Sequence, residues 1–386
     1  MKPFSRNRPS FMRWVCGNGV LAWVVLIFLY LAPVNANAIQ AKQDGGVRAF
    51  WGRLFGKPPA PHNVAIIIDT TAAMSNADSQ CKSTHLTCVL AGVQTLLRNL
   101  SPCKVRIASC GAGKGGNLSK SADMVSLFTF PNVTVATAIG EYNCSGPNPT
   151  TARYTFPDPK ASSYEPSGPP ETTLTYRILN YSSDYRTGNL TLALNPNSDL
   201  VKAVNGVKGC RGLRTPGGLS TYNAGAIYAA QASLIAAQSA RPGSQNLIIF
   251  ISDGGARSRR NQLQPGATNS GIYPSWVNEC GQAITAAKAA AAAGTKVYSI
   301  TDGTQESSGC PTDRSGTYNG YTGCQTMQAI ASSPADFFSI GRHFGSVPPC
   351  VSATHPTTDV KRVFKEIAES IKADRSASPG TLGPPR

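Results

Sequence analysis

The chain has 386 residues, enough for one large domain or two of ordinary size, and its hydrophobic fraction of 41% is sufficient for a real core. The 37 glycines and 28 prolines predict extensive loops. The formal net charge is +16, but the basic residues form no long run and few aromatic residues lie between them, so we expect no nucleic-acid partner.

The amino-terminal segment has the layout of a secretory signal. A basic stretch at 2–13 precedes an apolar stretch at about 19–31, and the Ala-Asn-Ala sequence at 36–38 is a small-residue cleavage site. The apolar stretch is short for a membrane-spanning helix, which needs about 20 residues. Residues 1–38 are therefore either a cleaved signal peptide or an uncleaved signal anchor in the membrane. Both interpretations predict that the remainder is exported to the cell envelope or secreted.

Residues 39–62 are interpreted as a linker. Within it, apolar residues recur at helical spacing over 47–55 with basic residues between them, a pattern typical of a short basic amphipathic segment. Such a segment either lies on a membrane surface or packs on the main domain.

The cysteines agree with export. Ten of the 11 lie beyond the targeting segment, and an even number in an exported chain predicts up to five disulfides. The candidates are Cys81, Cys88, Cys103, Cys110, Cys144, Cys210, Cys280, Cys310, Cys324 and Cys350. Short separations favour Cys81–Cys88, Cys103–Cys110 and Cys310–Cys324, which leaves Cys144–Cys210 and Cys280–Cys350 as long-range pairs. A cysteine-based metal site is not expected, because no C-x-x-C pair occurs and the four histidines are scattered.

Strand-like and helix-like segments alternate from about residue 63 to residue 373. The predicted strands are 63–70, 124–130, 245–251, 296–301 and 336–340. The predicted helices are 84–100, with Thr84 as a cap, then 221–239, 276–293, 324–332 and 358–373. This alternation predicts one α/β domain with a mainly parallel sheet. Residues 132–200 are interpreted as a loop-rich insertion, and 374–386 as a disordered tail.

Two of the predicted strands are continuous apolar runs that end in an aspartate. Residues 64–68 lead into Asp69, and residues 247–252 lead into Asp253. Apolar runs without alternation are typical of strands buried on both faces of a parallel sheet. Ligands bind outside the carboxyl ends of such strands, and carboxylates beside threonine hydroxyls suit a hard cation.

These segments resemble the metal-ion-dependent adhesion site (MIDAS) of von Willebrand factor type A (VWA) domains. Residues 69–74 (DTTAAM) are similar to its first motif, Asp-x-Ser/Thr-x-Ser. Residues 216–221 (PGGLST) and 250–254 (FISDG) are similar to the segments that carry its distant threonine and aspartate.

The resemblance implies a doubly wound, VWA/Rossmann-like α/β fold. It also implies a divalent ion, Mg²⁺ or else Mn²⁺ or Ca²⁺, held by Asp69, Thr71, Thr221 and Asp253. An open coordination position would accept an acidic group from a protein partner.

Further segments are similar to the TadG-like VWA proteins of bacterial tight-adherence pilus systems, over about 62–373. These segments are 182–187, 225–231, 241–246, 282–287 and 324–327. The resemblance implies an adhesion or pilus-assembly role at the cell envelope. The pilus-assembly helix usual at the amino end of those proteins is not evident here.

Ala73 departs from the MIDAS pattern, which has a hydroxyl at that position. Without it, the ion loses a direct ligand, and either its affinity falls or a water replaces the hydroxyl. Ser75 would take the role only after a shift of the loop, and Asp78 would approach only if the loop folds back. For Asp302 we expect no more than a turn or cap. The alternative to a metal-dependent binder is thus a structural domain with a decayed metal site that binds through its insertion loops.

No motif for catalysis is apparent. The sequence has no G-x-S-x-G, H-E-x-x-H or phosphate-loop pattern, so we expect a binding protein rather than an enzyme.

Overall fold

The computed structural model describes residues 60–110, 115–141, 174–215, 220–258, 260, 263, 267–303, 309–341 and 348–376. The predicted signal segment and nearly all of the predicted linker lie outside this part of the chain, as do Cys144 and much of the predicted insertion. Among the helices of the described residues, none combines the length and the apolar character that crossing a membrane requires.

A six-stranded sheet forms the centre of the described domain. Its strands are β1 (His62–Asp69), β4 (Asp123–Thr134), β5 (Leu174–Ser182), β6 (Gln245–Ser252), β7 (Thr295–Asp302) and β8 (Phe337–Ile340), and a separate small ladder pairs β2 (Ala77–Asp78) with β3 (Ser83–Thr84). The order across the large sheet is β5-β4-β1-β6-β7-β8, with β5 antiparallel to β4 and the other neighbours parallel. Counted among themselves in chain order, the six strands read 3-2-1-4-5-6, the order of Rossmann-type doubly wound sheets. The predicted fold class is confirmed.

Helices cover both faces of this sheet. They are α1 (His85–Asn99), α2 (Val135–Glu141), α3 (Asp199–Ala203), α4 (Asn223–Ala240), α5 (Glu279–Ala292), α6 (Gly323–Ile330) and α7 (Val360–Ser376). Successive side chains of a strand point to opposite faces, so the apolar run of β1 serves two cores. Val64, Ile66 and Ile68 pack with α1 and α7, whereas Ala65 and Ile67 pack with α4, α5 and α6.

Helix α1 begins where the sequence predicts. The Thr84 side chain accepts a hydrogen bond from the Thr87 backbone N–H at 3.2 Å, which satisfies one free donor of the first turn. Just before it, β3 pairs with β2, so that the loop after β1 is folded back toward the helix start.

Several elements differ from the prediction in their existence or their bounds. The interpretation of 132–200 as a loop-rich insertion misses α2, α3 and the edge strand β5, whose alternating, half-covered residues lack the apolar run of a central strand. Helix α5 begins at Glu279 rather than 276, because Asn278 adopts a left-handed backbone with φ of 59°. Helix α7 extends to Ser376, so the first residues of the predicted tail are helical.

Four disulfides join described residues. Cys81–Cys88 and Cys103–Cys110 are confirmed. The predicted Cys310–Cys324 and Cys280–Cys350 pairs are wrong, since the bonds are Cys280–Cys310 and Cys324–Cys350. Short sequence separation misled the prediction: Cys280 lies in the first turn of α5 against the loop after β7, and Cys324 in the first turn of α6. Cys210 is also disulfide-bonded, and its predicted partner Cys144 lies outside the described residues. Disulfides of this number are typical of proteins from oxidising compartments.

Candidate metal centre

The two aspartate-ending strands are neighbours at the point where the chain reverses its direction across the sheet. β1 and β6 pair in parallel, with Ile68 opposite Ile251, so Asp69 lies level with Ser252 and next to Asp253. In an open sheet of this strand order, the crevice outside the carboxyl ends at this switch point is where ligands bind. The predicted proximity of Asp69 and Asp253 is therefore a direct consequence of the topology.

Hydrogen bonds hold the Asp69 carboxylate in place. One oxygen, Oδ1, accepts from the Thr71 backbone N–H at 2.8 Å, and the other, Oδ2, accepts from the Ser252 hydroxyl at 3.1 Å. The Ser252 hydroxyl accepts in turn from the Gly254 backbone N–H at 3.1 Å. Ser252 was not predicted as a site residue, although it directly precedes Asp253.

The electrostatics of the pair disfavour two negative charges. Asp69 has no exposed surface, and its burial, together with the charge of Asp253, raises the pKa of Asp69 to about 8. Burial also raises the pKa of Asp253, against hydrogen bonding from the Gly255 backbone and the nearby charge of His85. A cation between the two carboxylates would remove this repulsion, which is the arrangement that carboxylate-bound divalent ions provide.

Both predicted threonines are buried. Thr71 follows Asp69 at the turn out of β1, and its side chain also hydrogen-bonds the Asp69 carboxylate. Thr221 is fixed by its backbone, which donates to the Arg257 carbonyl at 2.9 Å and accepts from the Arg257 N–H at 3.1 Å. The segment that carries Thr221 thus runs antiparallel to the chain that follows Asp253.

The loop after β1 does not replace the missing hydroxyl. Ala73 lies in a single 3₁₀ turn, Ala72–Ser75, and the Ser75 hydroxyl is exposed and donates to the Ala72 carbonyl at 2.6 Å. The donor set of Asp69, Asp253, Thr71 and Thr221 consists of oxygen atoms alone. One fully buried and one partly buried carboxylate with neighbouring hydroxyls suit Mg²⁺, Mn²⁺ or Ca²⁺ in their ligand chemistry.

A further group of polar side chains lies along the same edge and was not predicted as part of the site. Asp302, at the end of β7, forms a hydrogen bond through Oδ1 with His85 Nδ1 at 3.0 Å, so its role exceeds the expected turn or cap. The β2–β3 ladder folds the loop after β1 back and brings Asp78 to the same place. This is the loop conformation that the approach of Asp78 was expected to need. Asp302 had a sequence signal, since its strand also ends in an aspartate, whereas no motif marks His85.

Comparisons with known proteins give similarity at the level of the fold. No protein-family model and no curated protein sequence matches this chain. One similar solved structure is the pilus adhesin SpaC from Lactobacillus rhamnosus GG, with 14% identity, a TM-score of 0.42, and coverage of 82% of this chain and 31% of SpaC. Another is the conserved hypothetical protein BatB from Bacteroides thetaiotaomicron, with 15% identity, a TM-score of 0.37, and coverage of 82% and 100%. A third is proximal thread matrix protein 1 from the mussel byssus with a zinc-occupied MIDAS motif, at 11% identity, a TM-score of 0.37, and coverage of 81% and 46%.

The matched region of this chain therefore spans about a third of the SpaC adhesin, 31% of its length. At these identities and TM-scores, the roles of individual residues come from the geometry of this chain alone.

Proposed function

We propose that this domain is a metal-dependent binding module, in which a divalent cation held by Asp69, Asp253, Thr71 and Thr221 recognises an acidic group of a protein partner. The observation that carries the proposal is the placement of Asp69 and Asp253 together at the switch point of the sheet, where Asp69 is fully buried, Asp253 is partly buried and their charges repel each other. Such a pair is costly in the empty domain and favourable around a cation.

The incomplete donor set fits recognition of a ligand. Mg²⁺ retains several water ligands when few protein oxygens are available, and a carboxylate from a partner would replace one of them. Ala73 supplies no oxygen, so we propose that the ion is bound weakly by the domain alone and more tightly when a partner's carboxylate completes its coordination.

The wider role that we propose is adhesion or pilus assembly at the cell envelope, by an exported protein that acts by binding rather than catalysis. This part rests on the VWA and TadG-like resemblance of the sequence and on the disulfides. Deletion of the gene is expected to reduce surface pili or adhesion, and complementation with an Asp253→Asn variant is expected not to restore them. Full restoration by Asp253→Asn would contradict a metal-dependent role.

Metal binding is tested on the purified protein by calorimetry with Mg²⁺, Mn²⁺ and Ca²⁺. We expect binding in the millimolar range or tighter, lost in both Asp69→Asn and Asp253→Asn. Asp199→Asn is the matched control, because Asp199 is a partly exposed aspartate whose ion pair with Lys202 spans 3.5 Å on the surface. No binding of any of the three ions to the wild-type protein would refute the proposal.

Thermal unfolding separates loss of the ion from loss of the fold. Because an ion that binds only the folded state stabilises it, Mg²⁺ should raise the melting temperature of the wild-type protein. In the presence of a chelator, Asp253→Asn should melt at or above the wild-type temperature, since the substitution removes the negative charge that repels Asp69. Added Mg²⁺ should not change the melting temperature of this variant.

If binding to a partner survives chelation, the alternative of a structural domain that binds through its insertion loops is favoured.

A further inference from the structure

Asp69 and Asp253 are here called the switch-point pair. Beside them lies a separate group of three side chains, Asp78, His85 and Asp302, here called the His85 cluster. One potential ligand atom from each lies within 4.8 Å of the other two. The three residues come from different elements: the β2 strand, the first residue of α1, and the last residue of β7. Asp302 is 217 residues from His85 in the chain, so its place in the cluster calls for an explanation beyond local turn chemistry.

The cluster is held rigidly. Pairing of Asp78 with Ser83 and the Cys81–Cys88 disulfide fix the β2–β3 loop against the first turns of α1, where His85 lies. The Asp78 carboxylate accepts from the Gln80 backbone N–H at 2.7 Å through Oδ1. Asp302 is fixed by the pairing of β7 with β8. A site whose ligands are held in advance loses little entropy when an ion binds.

One carboxylate oxygen of the cluster is left without a partner. Asp302 is 2% exposed, and its Oδ1 is bonded to His85, but among the described residues no group hydrogen-bonds its buried Oδ2. A buried carboxylate oxygen without a donor is costly, and a metal ion is one of the few ligands that satisfies it.

Two glycines approach the cluster closely. A Cβ on Gly303 would lie 2.9 Å from His85 Cε1, and a Cβ on Gly341 would lie 3.0 Å from Asp302 Oδ1. Glycine at both positions therefore allows the backbone to pass close to the two potential ligands.

We propose that the His85 cluster is a second metal site, distinct from the switch-point pair, which binds Zn²⁺ through one nitrogen of His85 and the carboxylates of Asp78 and Asp302. An imidazole nitrogen favours zinc over Mg²⁺ and Ca²⁺, which prefer oxygen alone. In a tetrahedral zinc site with bonds of about 2.0–2.2 Å, neighbouring ligand atoms are roughly 3.3 Å apart. The 3.0 Å between His85 Nδ1 and Asp302 Oδ1 is already close to that spacing. The fourth position would be open to water or to a group from a partner.

This inference goes beyond the proposed function, because the two sites have separate ligands and different ion preferences. Asp253 is near enough for its charge to act on both His85 and Asp302, so the sites are electrostatic neighbours. An ion at one site should therefore modestly weaken binding at the other, in accordance with the repulsion between two cations.

The experiment is calorimetry of the purified protein with Zn²⁺ as the probe, in the presence of excess Mg²⁺ to saturate the switch-point pair. We expect one Zn²⁺ per chain, with affinity reduced at least about tenfold in His85→Ala and in Asp302→Asn. His355→Ala is the matched control, because His355 is a partly exposed histidine that pairs with Glu366 and is not one of the three residues of the His85 cluster. Asp253→Asn should lose Mg²⁺ binding and keep its Zn²⁺ affinity within about threefold.

Two results would overturn the proposal: Zn²⁺ affinity equal in His85→Ala and wild type, or Zn²⁺ binding lost in Asp253→Asn but retained in His85→Ala. The second result would place zinc in the switch-point pair. Failure of the proposed function is distinguishable, since it appears as absent Mg²⁺ binding with Zn²⁺ binding intact. Co²⁺ gives an independent signature, because its visible absorption in the site should disappear in His85→Ala. If His85→Ala fails to fold, Asp78→Asn provides the same comparison.

Discussion

Ala73 lies in the 3₁₀ turn directly after the first ligand-bearing strand, two positions past Thr71. We predict that Ala73→Ser tightens Mg²⁺ binding by roughly tenfold, because the new hydroxyl adds an oxygen ligand to a hard cation. Calorimetry measures the change. Ala72→Ser is the matched control, since it adds the same hydroxyl to the adjacent residue of the same turn. An equal effect of both substitutions, or none for Ala73→Ser, would contradict the assigned geometry.

Glu279 is a second residue whose environment predicts a measurable effect. It is fully buried in the first turn of α5 and accepts a hydrogen bond from the Ser258 N–H at 2.8 Å. Its other oxygen, Oε1, has no hydrogen-bond partner in the described part of the chain. Burial raises the pKa of Glu279 to about 9, so the folded state holds a proton that the unfolded state releases above its ordinary pKa of 4.5.

The sign of the pH dependence follows. Between about pH 5 and pH 9 the folded state binds more protons at this group, and the free energy of unfolding should fall as pH rises, by up to about 1.4 kcal/mol per pH unit. Glu279→Gln keeps the shape and removes the titration, so its stability should depend less on pH. Urea unfolding at several pH values tests this, with the exposed Glu369→Gln of α7 as the control. Parallel pH profiles for wild type and Glu279→Gln would show that Glu279 is ionised in the folded protein.

At the scale of elements, α1 and α7 pack tightly against each other at a glycine. A Cβ on Gly92 would lie 2.2 Å from Phe364 Cδ2 and 2.8 Å from Val360 Cγ2. Alanine favours a helix over glycine by about 1 kcal/mol, but overpacking a tight contact costs about 1–3 kcal/mol. We predict a net loss of about 1–2 kcal/mol in the free energy of unfolding for Gly92→Ala. Phe364→Leu in the Gly92→Ala background should recover part of the loss, whereas additive losses would contradict this packing.

The elements also show what a sequence can and cannot predict. β1 and β6 are recognisable because they are continuous apolar runs, and their terminal aspartates therefore identified the switch-point pair. β5 was missed because an edge strand is only half covered and carries no such run. The His85 cluster was missed for a different reason: its proximity depends on the β2–β3 ladder and on the pairing of β7, and neither leaves a local pattern.

At the scale of the whole molecule, the sheet has an amino edge and a carboxyl edge, formed by the amino ends and the carboxyl ends of its parallel strands. The two differ in how their polar groups are satisfied. At the amino edge, Arg241 donates to the carbonyls of His62, Ser121 and Ala122 at 2.8–3.0 Å. Although burial opposes it, the hydrogen bond with His62 and the charge of Arg375 lower the pKa of Asp123. The carboxyl edge instead collects Asp69, Asp253 and Asp302, whose pKa values are all raised by burial. One edge is a closed structural network, and the other collects acids whose ionisation burial disfavours, as expected of a binding edge.

Two of the disulfides differ in the length of the loop that they close and therefore in the stabilisation expected from them. Cys324–Cys350 closes a loop with a sequence separation of 26, whereas Cys81–Cys88 closes one of 7. In the chain-entropy model, these loops correspond to about 3.5 and about 2.4 kcal/mol of stabilisation, respectively. His85 lies within the short loop and Asp78 lies three residues before it. The long loop contains none of the three residues of the His85 cluster, although β8 within it pairs with β7 beside Asp302.

We therefore predict that the Cys324–Cys350 disulfide contributes more to stability and that the Cys81–Cys88 disulfide contributes more to zinc affinity. Replacing Cys324 and Cys350 with serine should lower the free energy of unfolding by about 1 kcal/mol more than the same change at Cys81 and Cys88. Replacing Cys81 and Cys88 should weaken Zn²⁺ binding more than replacing Cys324 and Cys350. Without the short disulfide, Asp78 and His85 are no longer held together before the ion binds. Urea unfolding and calorimetry of the two double variants measure both quantities. Zinc affinity that falls only in proportion to stability would show that the short disulfide has no positioning role at the His85 cluster.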